Sequence, residues 1–169
     1  MITFFHKLKG DNAPLPSQPS CKAVAIAGVG GALAIATIAA LADSLSVVLM
    51  LGSFGASCVL VFGYPDVPFS QPRNVIAGHV ISSLVGLVFF AAFGPHWWAV
   101  ALAEGTAIAL MMLTRTVHPP AGSNPVIVFL TQPTWGFILF PTLTGAMVLV
   151  VVALFYNNAT RVAKYPKYW

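Results

Sequence analysis

Apolar residues dominate this chain in long runs that short polar stretches separate. Four runs reach or approach the ~20 residues that cross a bilayer core of about 30 Å. They are Ala23–Ala42, Asn74–Phe93, Trp97–Thr114 and Gly136–Tyr156. Two further runs are interrupted: Leu45–Gly63 has glycines in its middle, and Gly122–Leu130 is too short to span as a regular helix. The pattern predicts six membrane segments, of which two are broken.

Composition supports a membrane protein. Apolar residues make up 58% of the chain and charged residues 7%, whereas soluble domains carry roughly 25% charged residues. We therefore expect an all-α, polytopic membrane helix bundle in contact with the lipid bilayer. Residues 1–21 are expected to form a cytoplasmic arm, residues 22–157 a single transmembrane domain, and residues 158–169 a cytoplasmic basic tail.

The positions of the cations predict the topology. All eight lysines and arginines fall in the amino-terminal arm, at Arg73, at Arg115, or in the tail after Tyr156. If all six segments cross, every cation lies on the cytoplasmic side, as the positive-inside rule favours. If the two broken segments instead re-enter, four helices cross and Arg73 and Arg115 lie outside. Both arrangements put both termini in the cytoplasm. Because topology accounts for the net charge of +4, no nucleic-acid partner is implied.

The order of a long helix, a broken segment and a long helix occurs twice, in residues 22–94 and 95–157. An offset of 67 residues lays Gly55–Phe62 onto Gly122–Phe129 and Gly78 onto Gly145. With three crossings in each half, the halves must be inverted relative to each other. Inverted halves with interrupted helices are common in transporters, whose substrate site lies near the midplane.

The two breaks are the candidate substrate site. A helix that restarts at Ala56 or Gly122 presents unpaired N–H groups and a partial positive charge at its amino end. Such ends bind anions without any formal charge. The alternative is that small residues only permit close helix packing. The candidate binding residues are Gly52, Ser53, Phe54, Gly55, Ala56, Ser57, His118, Pro119, Pro120, Ala121, Gly122, Ser123 and Asn124.

Charged and imidazole side chains within or beside the membrane segments are candidates for the path or for ion coupling. Intramembrane carboxylates suggest function by default, although Glu104 in a protonated state would also satisfy a structural hydrogen bond. Guanidinium groups suit planar oxyanions, and they also act as topology markers. These candidates are Arg73, Asn74, His79, Glu104 and Arg115.

Other functional classes remain open from the residues alone. A membrane scaffold would explain the small residues, a cation or proton-coupled carrier would use Glu104, and an intramembrane enzyme would use Glu104 and His118. No metal-ligand spacing, nucleophile motif or cofactor signature supports the enzyme, so we expect no catalysis, no metal and no cofactor. A chain of 169 residues is small for a solitary transporter, which favours a homo-oligomer.

Three motifs together resemble the HPP family of integral membrane proteins. They are Gly52–Ser57, Gln71-Pro72-Arg73-Asn74 followed by Gly78-His79, and Arg115–Gly122 with its His-Pro-Pro element. The resemblance covers roughly residues 20–157. It implies four membrane helices, which is closer to the re-entrant arrangement. Because cyanobacterial and plastid members are associated with nitrite transport, it also implies nitrite as the anion and a bacterial inner membrane or plastid envelope as the location.

Overall fold

The structure, a computed structural model, describes Leu8 and residues 13–169. Its described residues form α-helices, short 3-10 and π turns, and no strand. The helices are α1 (Cys21–Leu45), α2 (Gly52–Cys58), α3 (Pro72–Phe93), α4 (Trp97–Leu113), α5 (Asn124–Thr131) and α6 (Thr144–Thr160). A π turn at Val59–Gly63 continues α2, and turns at Trp135–Leu143 lead into α6. The predicted all-α bundle is confirmed.

Three stretches are long and apolar enough to cross a membrane, namely α1, α3 and Trp135–Thr160. Local sequence explains where they start. The Ser20 side chain accepts the Ala23 N–H and caps α1, while Pro72 occupies the first turn of α3, where its missing N–H removes no helical hydrogen bond. The 17 residues of α4 give about 25 Å of helix, slightly less than the bilayer core.

Extended backbone precedes each short helix, and this corrects the predicted restart positions. Leu51 (φ −113°, ψ 143°) and His118 (φ −134°, ψ 98°) are both extended. Helical geometry then begins at Gly52 rather than Ala56, and at Pro119 as a 3-10 turn that leads into α5 at Asn124 rather than at Gly122. The breaks therefore lie ahead of the glycines, because Gly52 and Gly55 continue a regular helical turn.

The long helix α3 shows in which direction each short helix runs. The second interrupted segment contacts α3 through four pairs of residues whose numbers increase together. The pairs are Gly78–His118, Ser82–Ala121, Gly86–Pro125 and Phe90–Phe129. This segment therefore runs parallel to α3 and reaches its carboxyl end. The first segment runs the other way: Ser57 bonds to His79, and the Leu60 carbonyl, one turn later, accepts from Ser70 ahead of α3. The amino ends of α2 and α5 thus meet near the middle of α3.

The described cations gather at one end of the bundle, which we call the basic end. Arg73 donates to the Thr114 carbonyl, next to Arg115, and Arg161 pairs with Asp66. Each interrupted segment connects this end to the opposite end, where one cavity is bordered by Thr131 and by Val47, Val48, Met50, Leu51 and Gly52. The two segments therefore run the length of the bundle, and the re-entrant arrangement with Arg73 and Arg115 at the other end is not the one adopted.

Contacts between the halves repeat at the same offset of 67 residues. A Cβ added to Gly78 would lie 3.0 Å from the Thr116 carbonyl oxygen. The equivalent residue Gly145 lies against the carbonyl of Leu49, which is the equivalent of Thr116. Likewise α1 packs on α6 while α4 packs on α3, and exchange of the halves turns one pair into the other. The two halves are related as an inverted pair.

Candidate functional site

Five buried polar residues meet where the amino ends of α2 and α5 converge. Ser53 is 4% exposed and the other four are fully buried. We call them the junction cluster: Ser53, Ser57, His79, His118 and Asn124. The cluster contains no lysine, arginine or carboxylate, so any partial charge there arises from imidazole, hydroxyl, amide and backbone groups.

Both halves contribute residues to the cluster. They come from two short helices, one long helix and one extended residue. The short helix α2 places Ser53 and Ser57 one turn apart on its buried face, and α3 places His79 opposite them. His118 is the last extended residue of the second segment, and Asn124 is the first residue of α5. The cluster therefore depends on both breaks being formed at once.

Ser57 lies at the centre of the cluster. Its Oγ is 2.8 Å from His118 Nε2 and 3.0 Å from His79 Nε2, so that it bridges the two imidazoles. The Asn124 side chain holds the other side, since its Nδ2 is 3.1 Å from His79 Nδ1 and its Oδ1 accepts from Ser53 Oγ at 2.9 Å. The side chains contact one another directly, so the junction is closed in this structure.

Residues that sequence reasoning missed extend the network. Asn124 Nδ2 donates to Ser83 Oγ at 2.8 Å, and Ser83 Oγ is 3.1 Å from Thr142 Oγ1. Ser82 donates to the Ala121 carbonyl at 2.6 Å. A signal existed for the serines, because positions 79, 82 and 83 share one face of a helix. No local pattern marked Thr142.

Several predicted site residues lie around the cluster rather than in it. The buried Phe54 ring lies edge-on to His79 at a centroid separation of 5.0 Å, and Pro120 and Ala121 are buried in the 3-10 turn. Asn74 Nδ2 donates to the Val117 carbonyl, which precedes His118. Arg73 is exposed and caps the carboxyl end of α4 through Thr114.

Other predicted residues are not brought to the cluster. Gly55 borders an apolar groove between α1 and α2, and its neighbour Ala56 is also exposed. Pro119, Ser123 and Arg115 are exposed as well. Ser123 bonds back to the Pro120 carbonyl, so its hydroxyl stabilises the turn.

Glu104 packs beside the second break from α4. Its Oε1 is 3.1 Å from the place that a Cβ on Gly122 would occupy. Its Oε2 is buried and has no hydrogen-bond partner among the described residues. Glycine at position 122 therefore leaves room for this carboxyl group beside the turn.

A cavity of about 680 Å³ opens at the end of the bundle opposite the basic end. We call it the vestibule. Apolar side chains form most of its wall, with Thr131 and Thr134 among the polar groups, and Leu51 and Gly52 also border it. Because Ser53 follows directly and bonds to Asn124, the vestibule reaches the edge of the junction cluster.

The carboxyl-terminal residues fold back across the basic end and form a strap, residues 161–169. Arg161 and Lys167 both pair with Asp66. Partial burial raises the pKa of the Asp66 carboxyl, but the Lys167 hydrogen bond and the Arg161 charge lower it by more, so its net pKa lies below the ordinary 3.8. Tyr168 donates to Asn74 Oδ1 at 3.2 Å. Because Asn74 also donates to the Val117 carbonyl, it connects the strap to the segment that carries His118.

Comparisons with known proteins identify a transmembrane family and two transmembrane relatives. A family model described as "HPP, transmembrane region" matches residues 16–166. One transmembrane protein of Dictyostelium discoideum is 40% identical over 129 residues, which is 72% of this chain and 45% of that protein. A second from the same organism is 34% identical over 180 aligned positions, covering 99% of this chain and 58% of the relative. No solved structure matches.

The chain spans about half the length of these relatives. The family match nevertheless covers nearly all of the transmembrane region, including both interrupted segments and the junction cluster. The chain belongs to the HPP transmembrane family and is a multi-pass integral membrane protein.

Proposed function

We propose that this protein transports a small inorganic anion across its membrane, with nitrite as the first candidate. The observation that carries the proposal is the junction cluster: a buried, uncharged polar site at the meeting point of two oppositely directed half-helices. Irregular backbone in a bilayer is tolerated where it is buried in protein or lines a path. The amino ends of both half-helices contribute partial positive charge at this place.

The vestibule supports a route to the site from the end opposite the basic end. Its volume of about 680 Å³ exceeds that of an ion of a few atoms, and it is bordered by Gly52 at the start of α2. At the basic end, the strap covers the loop ahead of α3. This arrangement fits alternating access: one side open, the centre closed by direct side-chain contacts, and the other side covered.

The choice of an anion follows from the charges around the junction. The helix ends that meet at the junction are amino ends, whose partial positive charge favours an anion over a metal cation. Glu104, the carboxylate beside the break, lies on the α4 side of Gly122 and is not in the network. Nitrite is chosen among small anions from the family resemblance. The bacterial or plastid location, the cytoplasmic position of both termini and the homo-oligomer remain predictions that accompany this proposal.

The test is nitrite uptake into liposomes that contain the purified full-length chain, with protein-free liposomes measured in parallel. Asn124→Asp adds a negative charge inside the cluster at almost unchanged volume, so nitrite uptake should fall by about tenfold or more, which corresponds to at least about 1.4 kcal/mol of repulsion.

Ser123→Asp is the matched control, because it adds the same charge at the neighbouring exposed position. It should retain most of the uptake, and size-exclusion profiles should show both variants folded. Wild-type uptake no faster than in protein-free vesicles would reject the proposal. Equal loss in both variants would show that the junction is not the anion site.

A further inference from the structure

The carbonyl of Phe69 fixes the protonation pattern of the junction cluster. His118 Nδ1 lies 2.7 Å from this carbonyl oxygen. A carbonyl only accepts, so Nδ1 must carry the proton. In neutral His118, Nε2 is then an acceptor, and the Ser57 hydroxyl 2.8 Å away donates to it.

The direction of the remaining bonds follows from this one assignment. Ser57 has a single proton, so its contact with His79 Nε2 at 3.0 Å requires that His79 donate. His79 Nδ1 is then an acceptor, which suits the Asn124 amide N–H at 3.1 Å. These hydrogen bonds form a continuous series in which every donor points the same way. The series runs from Asn124 through His79, Ser57 and His118 to the Phe69 carbonyl.

A hydrogen-bonded chain with one direction can pass a proton. From this geometry we infer that the histidine pair bridged by Ser57 is the proton site that couples anion transport to proton movement. This inference rests on the proposed function and names its co-substrate, a proton. The site lies where the anion is expected, so both ions would bind at one junction.

The transfer step balances as follows. A proton binds His79 Nδ1, while the Asn124 amide retains Ser83 Oγ and the His79 carbonyl as acceptors. His79 Nε2 releases its proton to Ser57 Oγ, and Ser57 releases its own proton to His118 Nε2. His79 ends neutral with its proton on the other nitrogen, and His118 ends as an imidazolium that still donates to Phe69.

Ser57 has an alternative acceptor for this charged state. Its Oγ is 3.2 Å from the Ser53 carbonyl oxygen, so the hydroxyl can donate either there or to the deprotonated His79 Nε2 while it accepts from His118 Nε2. The protonated pair places one positive charge between helix amino ends, which an anion bound there would neutralise. By linkage, each ion then increases the affinity of the site for the other.

The groups that face the pair are uncharged on every element that contacts it. They are Phe54 and Ser57 on α2, Asn124 on α5 and the Phe69 carbonyl ahead of α3. Glu104 on α4 lies at Gly122, and Arg73 donates to the Thr114 carbonyl. Glu104 is therefore the competing titratable group that an experiment must separate from the pair.

Solid-state NMR of ¹⁵N- and ¹³C-labelled histidine in liposomes tests the bond direction without any transport measurement. The chain has four histidines, and substitution of His6 and His96 by glutamine leaves only the pair. At pH 8 we expect one ring protonated at Nδ1, which is His118, and one protonated at Nε2, which is His79. Two rings with the same tautomer would overturn the inference.

The coupling itself is tested by nitrite uptake with and without an inward proton gradient of one pH unit. Protein-free vesicles are subtracted, since nitrous acid crosses bilayers unaided. In the wild type the gradient should speed protein-dependent uptake by up to about tenfold, the change in proton concentration itself. Ser57→Ala should reduce this ratio to about one, whereas Ser57→Thr, which keeps the hydroxyl, should restore it.

The outcomes separate the two proposals. Absence of protein-dependent nitrite uptake in the wild type overturns both the proposed function and the coupling. Protein-dependent uptake at the same rate with and without the proton gradient overturns the coupling alone. Loss of the ratio in Glu104→Gln together with its retention in Ser57→Ala would assign the proton to Glu104 and overturn the inference.

Discussion

At the scale of single residues, two kinds of glycine can be distinguished by what surrounds them. Gly78 and Gly145 occupy places where a helix touches the extended backbone of the other half, and a side chain there would overlap it. Around Gly52, Gly55 and Gly105 an added Cβ would meet nothing within 4 Å. Close packing therefore explains the first kind and not the second.

Alanine at Gly78 or Gly145 should destabilise the protein. The added carbon at position 78 would lie 2.8 Å from His118 Cβ, and overpacking of this kind costs about 1–3 kcal/mol. Thermal unfolding in detergent, followed by tryptophan fluorescence, should show a lower midpoint for both variants. Gly105→Ala, also within a helix but with free space, should unfold at the same temperature or higher.

Much of the junction cluster could be predicted from the residues. Ser53, Ser57, His118 and Asn124 lie in the two segments that were predicted to be broken, and His79 stood out as an imidazole in an apolar helix. Their mutual contacts could not be predicted, because they depend on the directions in which α2 and α5 run. Gly55 was misplaced for the same reason: its spacing suits a break, but its helix turns it toward α1.

At the scale of elements, the interrupted segments depend on extended backbone as much as on helix. Apolar periodicity located both segments but not their helix starts, since each helix begins only after an extended residue, Leu51 or His118. His118 is extended because Pro119 follows it and disfavours helical backbone in the preceding residue, whereas no proline follows Leu51. The strap was likewise predicted only as a basic tail, because its partners Asp66, Gln71 and Asn74 lie more than 90 residues earlier.

Asp66 should hold the strap in place. Asp66→Asn removes the acceptor of two ion pairs, so trypsin should cut faster after Arg161, Lys164 and Lys167, by about two- to fivefold for an exposed pair. Gel or mass analysis of timed digests measures this. Asp43→Asn, at the other end of the bundle, is the control and should leave the rate unchanged; equal acceleration in both would contradict the assignment.

The pH dependence of the strap follows from the same carboxyl group. Its pKa is lower in the folded protein than the ordinary 3.8, so its contribution is fully present well above that value. The contribution decreases as the pH falls from about the ordinary pKa toward the lowered one. Fluorescence of a dye attached near residue 169 should report release of the strap only in this acidic range, and Asp66→Asn should abolish the transition.

At the scale of the whole molecule, all described lysines and arginines lie at the basic end. The two cysteines differ in their exposure to solvent. Cys21, next to the basic end, is exposed and Cys58 is buried. If the basic end faces the cytoplasm, as the positive-inside rule predicts, a membrane-impermeant maleimide should label Cys21 in inverted vesicles and not in intact cells.

Two variants complete this labelling experiment. Cys21→Ser should remove the signal, and Cys21→Ser/Thr134→Cys, which moves the thiol to the vestibule side, should give the reverse pattern. Labelling of Cys21 from outside intact cells would place the basic end on the external face and invert the direction assigned to the vestibule.

The inverted pairing of the halves has a consequence for how the protein can operate. The positions equivalent to His79 and His118 are Ala146 and Leu51, both buried and apolar. The helix contacts described above thus repeat when the halves are exchanged, whereas the imidazoles do not. Each half supplies one imidazole from a different element and has an apolar residue where the other half has its own. Reversing the insertion of the protein in its membrane would therefore present the two imidazoles to the opposite sides and would not give an equivalent path.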